Sequence, residues 1–283
     1  MTDLTGGVAV VTGAGSGIGR ALALALAHEG MSIVGADLQE GGLRETESLV
    51  SESGARFLAS VTDVRNPEAV ESLASTTFER LGPVGVVCSN AGVMRPGAAW
   101  EQPAATWEKV LGVNVLGAVN LANNFVPRML RQGRAGRFVT TVGVTGLFTA
   151  PFSPPSSYSV SKHALLAFSE ILHHELRAID APIGVTVLCP SGVRSDIEGD
   201  PTAADGPTIR RPEAWARVEA LYEFIRTGLE PAEVARQTVD AVKEDRFWVF
   251  PHPEHVARAQ HRADYIVGAL DPTPPPFGPT PSR

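Results

Sequence analysis

The sequence is short of cysteine, and this shortage excludes two kinds of architecture. Only two of the 283 residues are cysteines, Cys88 and Cys189, and each lies in an apolar run. A disulfide framework needs more cysteines, and neither a CxxC pair nor the spacing of zinc ligands is present. The histidines at 173–174 and at 252 and 255 lack the further ligands that zinc requires, so we expect no metal site.

Long apolar runs and an excess of positive charge are also missing. No window approaches the ~20 apolar residues of a membrane span, and residues 1–7 lack the basic and apolar segments of a signal peptide. The 24 basic side chains are outnumbered by 31 acidic ones, and the resulting formal net charge of -7 repels polyphosphate. We therefore expect a cytoplasmic protein with no nucleic-acid partner and no membrane partner.

Apolar, β-branched runs alternate with amphipathic helical stretches along most of the chain. Short strands that are apolar throughout are typical of a parallel sheet covered on both faces. The alternation predicts an α/β fold with a doubly wound parallel sheet (a Rossmann fold), built as a single domain over 1–270. The predicted strands are 8–12, 32–36, 56–61, 84–89, 137–142, 184–189 and 247–250, and the predicted helices are 19–29, 41–53, 67–81, 103–131, 157–179 and 231–243.

The alternation breaks at 195–228, a segment rich in proline, glycine and charge. Its spacing predicts a helix, and we expect the whole insertion to form a lid over a substrate. The tail, 271–283, contains six prolines and is predicted to be extended or disordered. The residues on one face of the insertion helix are Trp215, Val218, Tyr222 and Ile225.

A glycine-rich turn joins the first predicted strand to the first predicted helix. Glycines permit the tight turn and let backbone N–H groups reach a pyrophosphate at the helix N-terminus. Asp37 ends the second strand, where a carboxylate accepts hydrogen bonds from the ribose hydroxyls of a dinucleotide and repels a 2′-phosphate. No Lys or Arg stands at 14–16 or 38, so NAD is favoured over NADP. The turn residues assigned to the cofactor are Gly13, Ser16, Gly17, Ile18 and Gly19.

Tyr158 and Lys162 lie four residues apart on a predicted helix and therefore share one face. An ammonium group near a tyrosine hydroxyl favours the phenolate and is expected to lower the tyrosine pKa. This would make Tyr158 a general acid–base at physiological pH.

With these motifs in this order, the chain resembles the short-chain dehydrogenase/reductase family in its classical form, over about residues 5–195. The resemblance implies adenine contacts from Asp63 and Val64, and an active-site asparagine at Asn114 that holds a water linked to Lys162. It also implies homodimers or homotetramers, formed through the apolar faces of helices 103–131 and 157–179. The further cofactor contacts that it implies are Asn90, Ala91, Gly92, Pro190, Val193 and Ser195, beside Tyr158 and Lys162 themselves.

One position departs from the family pattern. Aligned on Gly146 and Leu147, Gly143 stands where the family carries a catalytic serine. Three explanations are open. Another hydroxyl replaces the serine (Thr145 first, then Thr141 or Ser153), or the substrate is an iminium or activated carbonyl that needs less polarisation, or hydride chemistry is lost.

The motifs together predict an NAD-dependent oxidoreductase that transfers a hydride between nicotinamide and a hydrophobic secondary alcohol, ketone or imine. The alternative is a non-redox protein on the same scaffold, either a cyclase-type enzyme or a nucleotide-binding protein. A small hydrophobic substrate is expected because aromatic and aliphatic side chains are predicted near the nicotinamide. These are Trp215, Tyr222, Ile225, Phe148 and Phe152.

Overall fold

The computed structural model describes residues 4–149, 156–195, 197 and 212–273. Within these ranges seven strands pair in parallel to form one sheet, in the order third, second, first, fourth, fifth, sixth, seventh. The predicted doubly wound α/β fold is therefore confirmed. The strands are β1 (Val8–Thr12), β2 (Ser32–Asp37), β3 (Phe57–Val61), β4 (Val84–Ser89), β5 (Gly136–Thr141), β6 (Ile183–Leu188) and β7 (Trp248–Val249).

Helices cover both faces of the sheet. One apolar core joins the strands to α3, α5 and α6, and a second core joins them to α1, α2 and α8. Burial on both faces explains why β1 is apolar along nearly its whole length. The helices so labelled are α1 (Gly17–His28), α2 (Glu40–Glu52), α3 (Pro67–Arg80), α4 (Ala104–Leu111), α5 (Gly117–Gln132), α6 (Ser156–Ala178), α7 (Pro212–Arg226), α8 (Pro231–Lys243) and α9 (Val256–Val267).

Two elements differ from the sequence predictions. The predicted helix 103–131 is interrupted by a π-helical turn, Gly112–Leu116, which separates α4 from α5. Such turns inside helices often occur at functional sites, and this one carries Asn114. Helix α9 was not predicted from the sequence, and none of its residues is buried.

The helical run Ala104–Gln132 is long and apolar enough, by length and composition alone, to cross a membrane. In the fold, however, 56% of its most apolar window is buried. Packing on the sheet through residues such as Phe125 and Met129, both fully buried, accounts for its apolar character.

A buried cation lies at the amino-terminal end of the sheet. Arg137 on β5 is only 1% exposed. Its guanidinium donates to Thr186 Oγ1 (2.6 Å) and to the Arg246 carbonyl oxygen (2.7 Å), and it pairs with Asp245. A Cβ at Gly184, on the neighbouring strand, would overlap the guanidinium. The glycine is therefore the residue that leaves room for the arginine.

Candidate active site

A cavity of about 870 Å³ opens at the carboxyl ends of the strands, where open parallel sheets bind their ligands. It runs from the glycine-rich turn past Asp37 at one end to Tyr158 and the C-terminal end of α7 at the other. Asn114 lies behind it, 1% exposed. The predicted residues that line it are Gly13, Ser16, Gly17, Ile18, Gly19, Asp37, Asp63, Val64, Asn90, Ala91, Gly92, Thr145, Tyr158, Lys162, Pro190, Val193 and Ser195.

Thr12, the last residue of β1, fixes the turn against the end of β4. Its hydroxyl donates to the Cys88 carbonyl oxygen (3.2 Å) and accepts from the N–H groups of Asn90 and Ala91 (both 3.1 Å). Asn90 Nδ2 donates in turn to the Thr12 carbonyl oxygen (3.1 Å). The two loops that form the centre of the cavity are therefore held as one unit.

Within the turn, one glycine has no room for a Cβ and a second has little. A Cβ at Gly19 would overlap the Gly13 carbonyl group, and a Cβ at Gly13 would lie 3.0 Å from Asn90 Nδ2. Gly13 also has a φ of +68°. This bare backbone at the start of α1 fits a diphosphate, because main-chain N–H groups and the helix dipole favour an anion there.

Asp37 is fixed by two backbone donors. The Gly15 N–H donates to its Oδ2 and the Gln39 N–H donates to its Oδ1, both at 2.9 Å. The carboxylate lines the cavity with lone pairs left over, as a ribose diol requires. These residues therefore fit the adenosine half of a nicotinamide dinucleotide.

The Asp63 side chain forms an ion pair with Arg65, whose Nη2 lies 2.6 Å from Asp63 Oδ2. The hydrogen bond from Arg65 holds the pKa of Asp63 below its usual value. The neighbouring Val64 carbonyl oxygen accepts from Asn120 Nδ2 (2.9 Å), which ties this edge of the cavity to α5.

The Asn114 side chain is hydrogen-bonded to the loop after β4 and to α6. Its Oδ1 accepts from the Val93 N–H (2.8 Å), while its Nδ2 donates to the Val93 carbonyl oxygen (3.1 Å) and to Ser161 Oγ (2.9 Å). Ser161 Oγ donates to the Tyr158 carbonyl oxygen (2.6 Å). The amide thus joins the loop after β4 to the first turns of α6, which carry Tyr158.

The predicted lowering of the Tyr158 pKa is wrong for this arrangement. Burial raises the pKa of Tyr158, because the phenolate loses its hydration. Lys162 donates to the Thr141 carbonyl oxygen (2.6 Å) and lies 5.3 Å from the centre of the Tyr158 ring. Burial lowers the pKa of Lys162 to about 8, although the charge of Cys189 acts in the opposite direction.

Gly143 takes a backbone conformation that few other residues adopt. Its φ is +80°. Its N–H donates to the Leu188 carbonyl oxygen and its own carbonyl accepts from the Gly146 N–H, both at 3.1 Å. A Cβ built at this position would lie 3.7 Å from Thr145 Oγ1. The Thr145 hydroxyl therefore stands beside the space that a serine side chain at 143 would enter.

Of the candidate replacement hydroxyls, Thr141 and Thr145 both line the cavity, and Ser153 lies outside the described residues. Thr141 Oγ1 already donates to Asn90 Oδ1 (3.0 Å). Thr145 Oγ1 makes no hydrogen bond within the described part of the chain. The described residues therefore leave this donor unused at the cavity wall.

The apolar end of the cavity differs in detail from the prediction. A buried cluster of Met94, Val218, Tyr222 and Ile225 packs beside Tyr158. Of the four residues predicted to share one face of α7, Val218, Tyr222 and Ile225 are buried together as expected. The fourth, Trp215, is 38% exposed. Of the predicted pocket residues only Ile225 lines the cavity; Trp215, Tyr222 and Phe148 do not, and Phe152 lies outside the described residues. The apolar lining residues that were missed are Met94, Ile197, Leu221 and Phe224.

The loop after β6 closes the middle of the cavity. The Ser191 N–H donates to His252 Nδ1 (3.1 Å), and Ser195 packs against the glycine-rich turn, its Cβ 3.0 Å from a Cβ built at Gly17. Among the described residues, no group of three or more His, Cys, Asp and Glu side chains is placed to hold a metal.

Comparisons with known proteins agree on one family. The family model described as short chain dehydrogenase matches residues 7–205. The 1-deoxy-11-beta-hydroxypentalenate dehydrogenase of Streptomyces arenae is 34% identical over 274 residues, which are 95% of this chain and 90% of that protein. The CLA biosynthesis dehydrogenase/reductase of Lactiplantibacillus plantarum is 28% identical over 96% of this chain and 97% of that protein.

Solved structures show the same likeness. A short-chain dehydrogenase/reductase from Burkholderia phymatum, crystallised in complex with NAD, is 36% identical and superposes with a TM-score of 0.92. The match covers 98% of this chain and 100% of that one.

Proposed function

Because this chain belongs to the short-chain dehydrogenase family and is an NAD(P)-dependent dehydrogenase/reductase, we propose that it transfers a hydride between NAD and a hydrophobic secondary alcohol, ketone or imine. One observation carries the proposal. Tyr158, Lys162 and the Thr145 hydroxyl share a single cavity with the glycine-rich turn and Asp37. Proton transfer and dinucleotide binding are thereby brought to one place.

NAD is the proposed cofactor because Asp37 stands where a ribose diol would bind. Its carboxylate would repel a 2′-phosphate, while its two oxygens accept from the hydroxyls of NAD. When bound, the nicotinamide ring supplies or accepts the hydride. The named relative structure in complex with NAD supports this choice.

Tyr158 is the proposed general acid–base. Its raised pKa keeps the phenol protonated at neutral pH, which suits proton donation to a ketone or imine. The Lys162 ammonium, close to the ring, stabilises the negative charge that the tyrosine acquires when it gives up its proton. In the reverse direction the phenolate form of Tyr158 would accept the proton of the alcohol, with the Lys162 ammonium stabilising that phenolate.

Thr145 is the proposed replacement for the family's serine. Its hydroxyl lies beside Gly143 with its donor available, so it can hold the substrate oxygen as charge develops there. The named relatives are dehydrogenases or reductases. We therefore propose the redox function for this chain and not the non-redox alternative.

The substrate is proposed to be hydrophobic because the end of the cavity beside Tyr158 is lined by Met94, Leu221, Phe224 and Ile225. An apolar wall excludes water and strengthens the polar interactions at the reacting oxygen. The insertion 195–228, which contributes three of these residues, acts in this proposal as the substrate lid.

Members of the family commonly form oligomers, and we propose a homodimer or homotetramer for this chain. Apolar side chains are exposed on the outer surface of α6 and at the π turn before α5. Light scattering distinguishes the two states. The exposed residues are Leu116, Val160 and Ile171.

The function is tested by a turnover assay that follows NADH at its near-ultraviolet absorbance band. The purified protein is supplied with NAD and hydrophobic secondary alcohols, and in the reverse direction with NADH and the matching ketones and imines. We expect turnover in at least one of these series. Binding of NAD by calorimetry together with no turnover in any series would contradict the proposal.

The pKa values also predict how the rate depends on pH. Lys162 carries its proton below about pH 8 and loses it above, while Tyr158 stays protonated throughout this range. We therefore expect kcat/KM for ketone reduction to be level below about pH 8 and to fall about tenfold per pH unit above it. Re-assay at neutral pH after alkaline incubation separates this loss from unfolding, and a level profile well above pH 8 would contradict it.

A further inference from the structure

Arg20, in the first turn of α1, is a cation at the adenosine end of the cavity that sequence motifs did not indicate. Its Nε donates to Thr46 Oγ1 (3.1 Å), and its Nη2 donates to the Gly15 carbonyl oxygen and to Glu45 Oε2 (2.7 Å). Both Arg20 and Glu45 line the cavity. The ion pair with Glu45 therefore offsets the charge of the Arg20 guanidinium at the end of the cavity where the adenosine half of a dinucleotide is expected to bind.

Gly15 places this cation close to Asp37. The Gly15 N–H donates to Asp37 Oδ2 (2.9 Å), while the carbonyl of the same glycine accepts from Arg20. A Cβ on Gly15 would lie 3.0 Å from Asp37 Oδ2 and 3.4 Å from Gly42 Cα, so the turn, the end of β2 and the start of α2 are packed together. An anion placed next to Asp37 therefore comes within the field of Arg20 and Glu45 as well.

We propose that Glu45 is a determinant of dinucleotide selectivity, because its ion pair withholds Arg20 from an adenosine 2′-phosphate. This inference rests on the proposed use of NAD, with Asp37 at the ribose. Two carboxylates then act against NADP: Asp37 repels the phosphate directly, and Glu45 pairs with a cation at this end of the cavity. Removing the charge of Glu45 leaves a phosphate-binding guanidinium in place, since Thr46 and Gly15 still hold Arg20.

The expected effect is modest because the pair is partly exposed. The Glu45 side chain is 68% exposed and that of Arg20 is 27% exposed, so water and salt weaken their fields. For Glu45→Gln we expect NADP affinity to increase about five- to tenfold and NAD affinity to change by less than about twofold. The gain should largely disappear at about 1 M salt, where screening extends over only a few ångström.

The test is calorimetric titration of the purified protein with NAD and with NADP, in the absence of substrate. Glu40→Gln is the matched control, because Glu40 pairs with Arg44 on the same helix (2.6 Å) and lies outside the cavity lining. We expect Glu40→Gln to leave both affinities unchanged. A second variant, Arg20→Met combined with Glu45→Gln, should abolish the gain in NADP affinity.

The outcomes separate this inference from the proposed function. An unchanged ratio of NADP to NAD affinity in Glu45→Gln would overturn the role of Glu45 and leave the proposed function standing. The role of Glu45 is also overturned if the double variant, which lacks Arg20, keeps the gain in NADP affinity. Asp37→Ser tests the ribose assignment itself: no change in selectivity there, or no binding of either dinucleotide by the wild type, would overturn the proposed cofactor and this inference with it.

Discussion

Tyr158→Phe is expected to lower kcat by about 10²- to 10⁴-fold in both directions of the proposed reaction. The substitution removes one hydroxyl and keeps the ring, which packs beside the apolar cluster and under Lys162. The loss should therefore come from proton transfer and not from the fold. Dinucleotide affinity, measured by calorimetry, should change only slightly.

Tyr222→Phe is the matched control for this variant. Tyr222 belongs to the same buried cluster but does not line the cavity. Removing its hydroxyl should cost less than about tenfold in kcat, because no proton of the reaction passes through it. If Tyr158→Phe keeps more than a tenth of the wild-type kcat, Tyr158 is not the general acid–base.

Thr145→Ala is expected to lower kcat by about 10²- to 10³-fold, the usual cost of losing one donor to a developing oxyanion. Thr145→Ser should retain most of the activity, since it keeps the hydroxyl. Thr141→Val serves as the comparison, because the hydroxyl of Thr141 is already bound to Asn90. Thr141→Val should therefore lower kcat much less than Thr145→Ala does. Steady-state rates of Thr145→Ala, Thr145→Ser and Thr141→Val show which threonine hydroxyl the reaction uses.

A serine introduced at position 143 should not rescue Thr145→Ala. Any L residue there must adopt a φ near +80°, or the turn tied to Leu188 and Gly146 must rearrange. If Thr145→Ala itself stays within about threefold of the wild type, the hydroxyl is dispensable. The explanation that an iminium or activated carbonyl needs little polarisation would then take its place.

The elements that sequence analysis predicted well are those whose signal is local. Strand β1 is apolar because both of its faces are buried. The turn that follows is glycine-rich because Gly19 has no space for a Cβ and Gly13 has a positive φ. Such constraints act on each residue directly. They are therefore visible in the order of residues alone.

The features that were missed depend on contacts between distant segments. The side chain of Asn114 is engaged by Val93 and Ser161, and no local pattern shows that its amide is already used. The direction of the Tyr158 pKa depends on how deeply the hydroxyl is buried, which spacing to Lys162 does not reveal. The pair of Arg20 and Glu45 joins two helices across the glycine-rich turn and leaves no motif.

The buried Arg137 at the opposite end of the sheet has a consequence for how related sequences diverge. Because the guanidinium occupies the space of a Cβ at Gly184, a side chain at that position requires the arginine to move or to be replaced. A relative with any side chain at the position of Gly184 is expected to have lost the arginine, and a relative that keeps the arginine is expected to keep the glycine. The two positions should therefore covary as a pair across the family, whatever substrate each member uses.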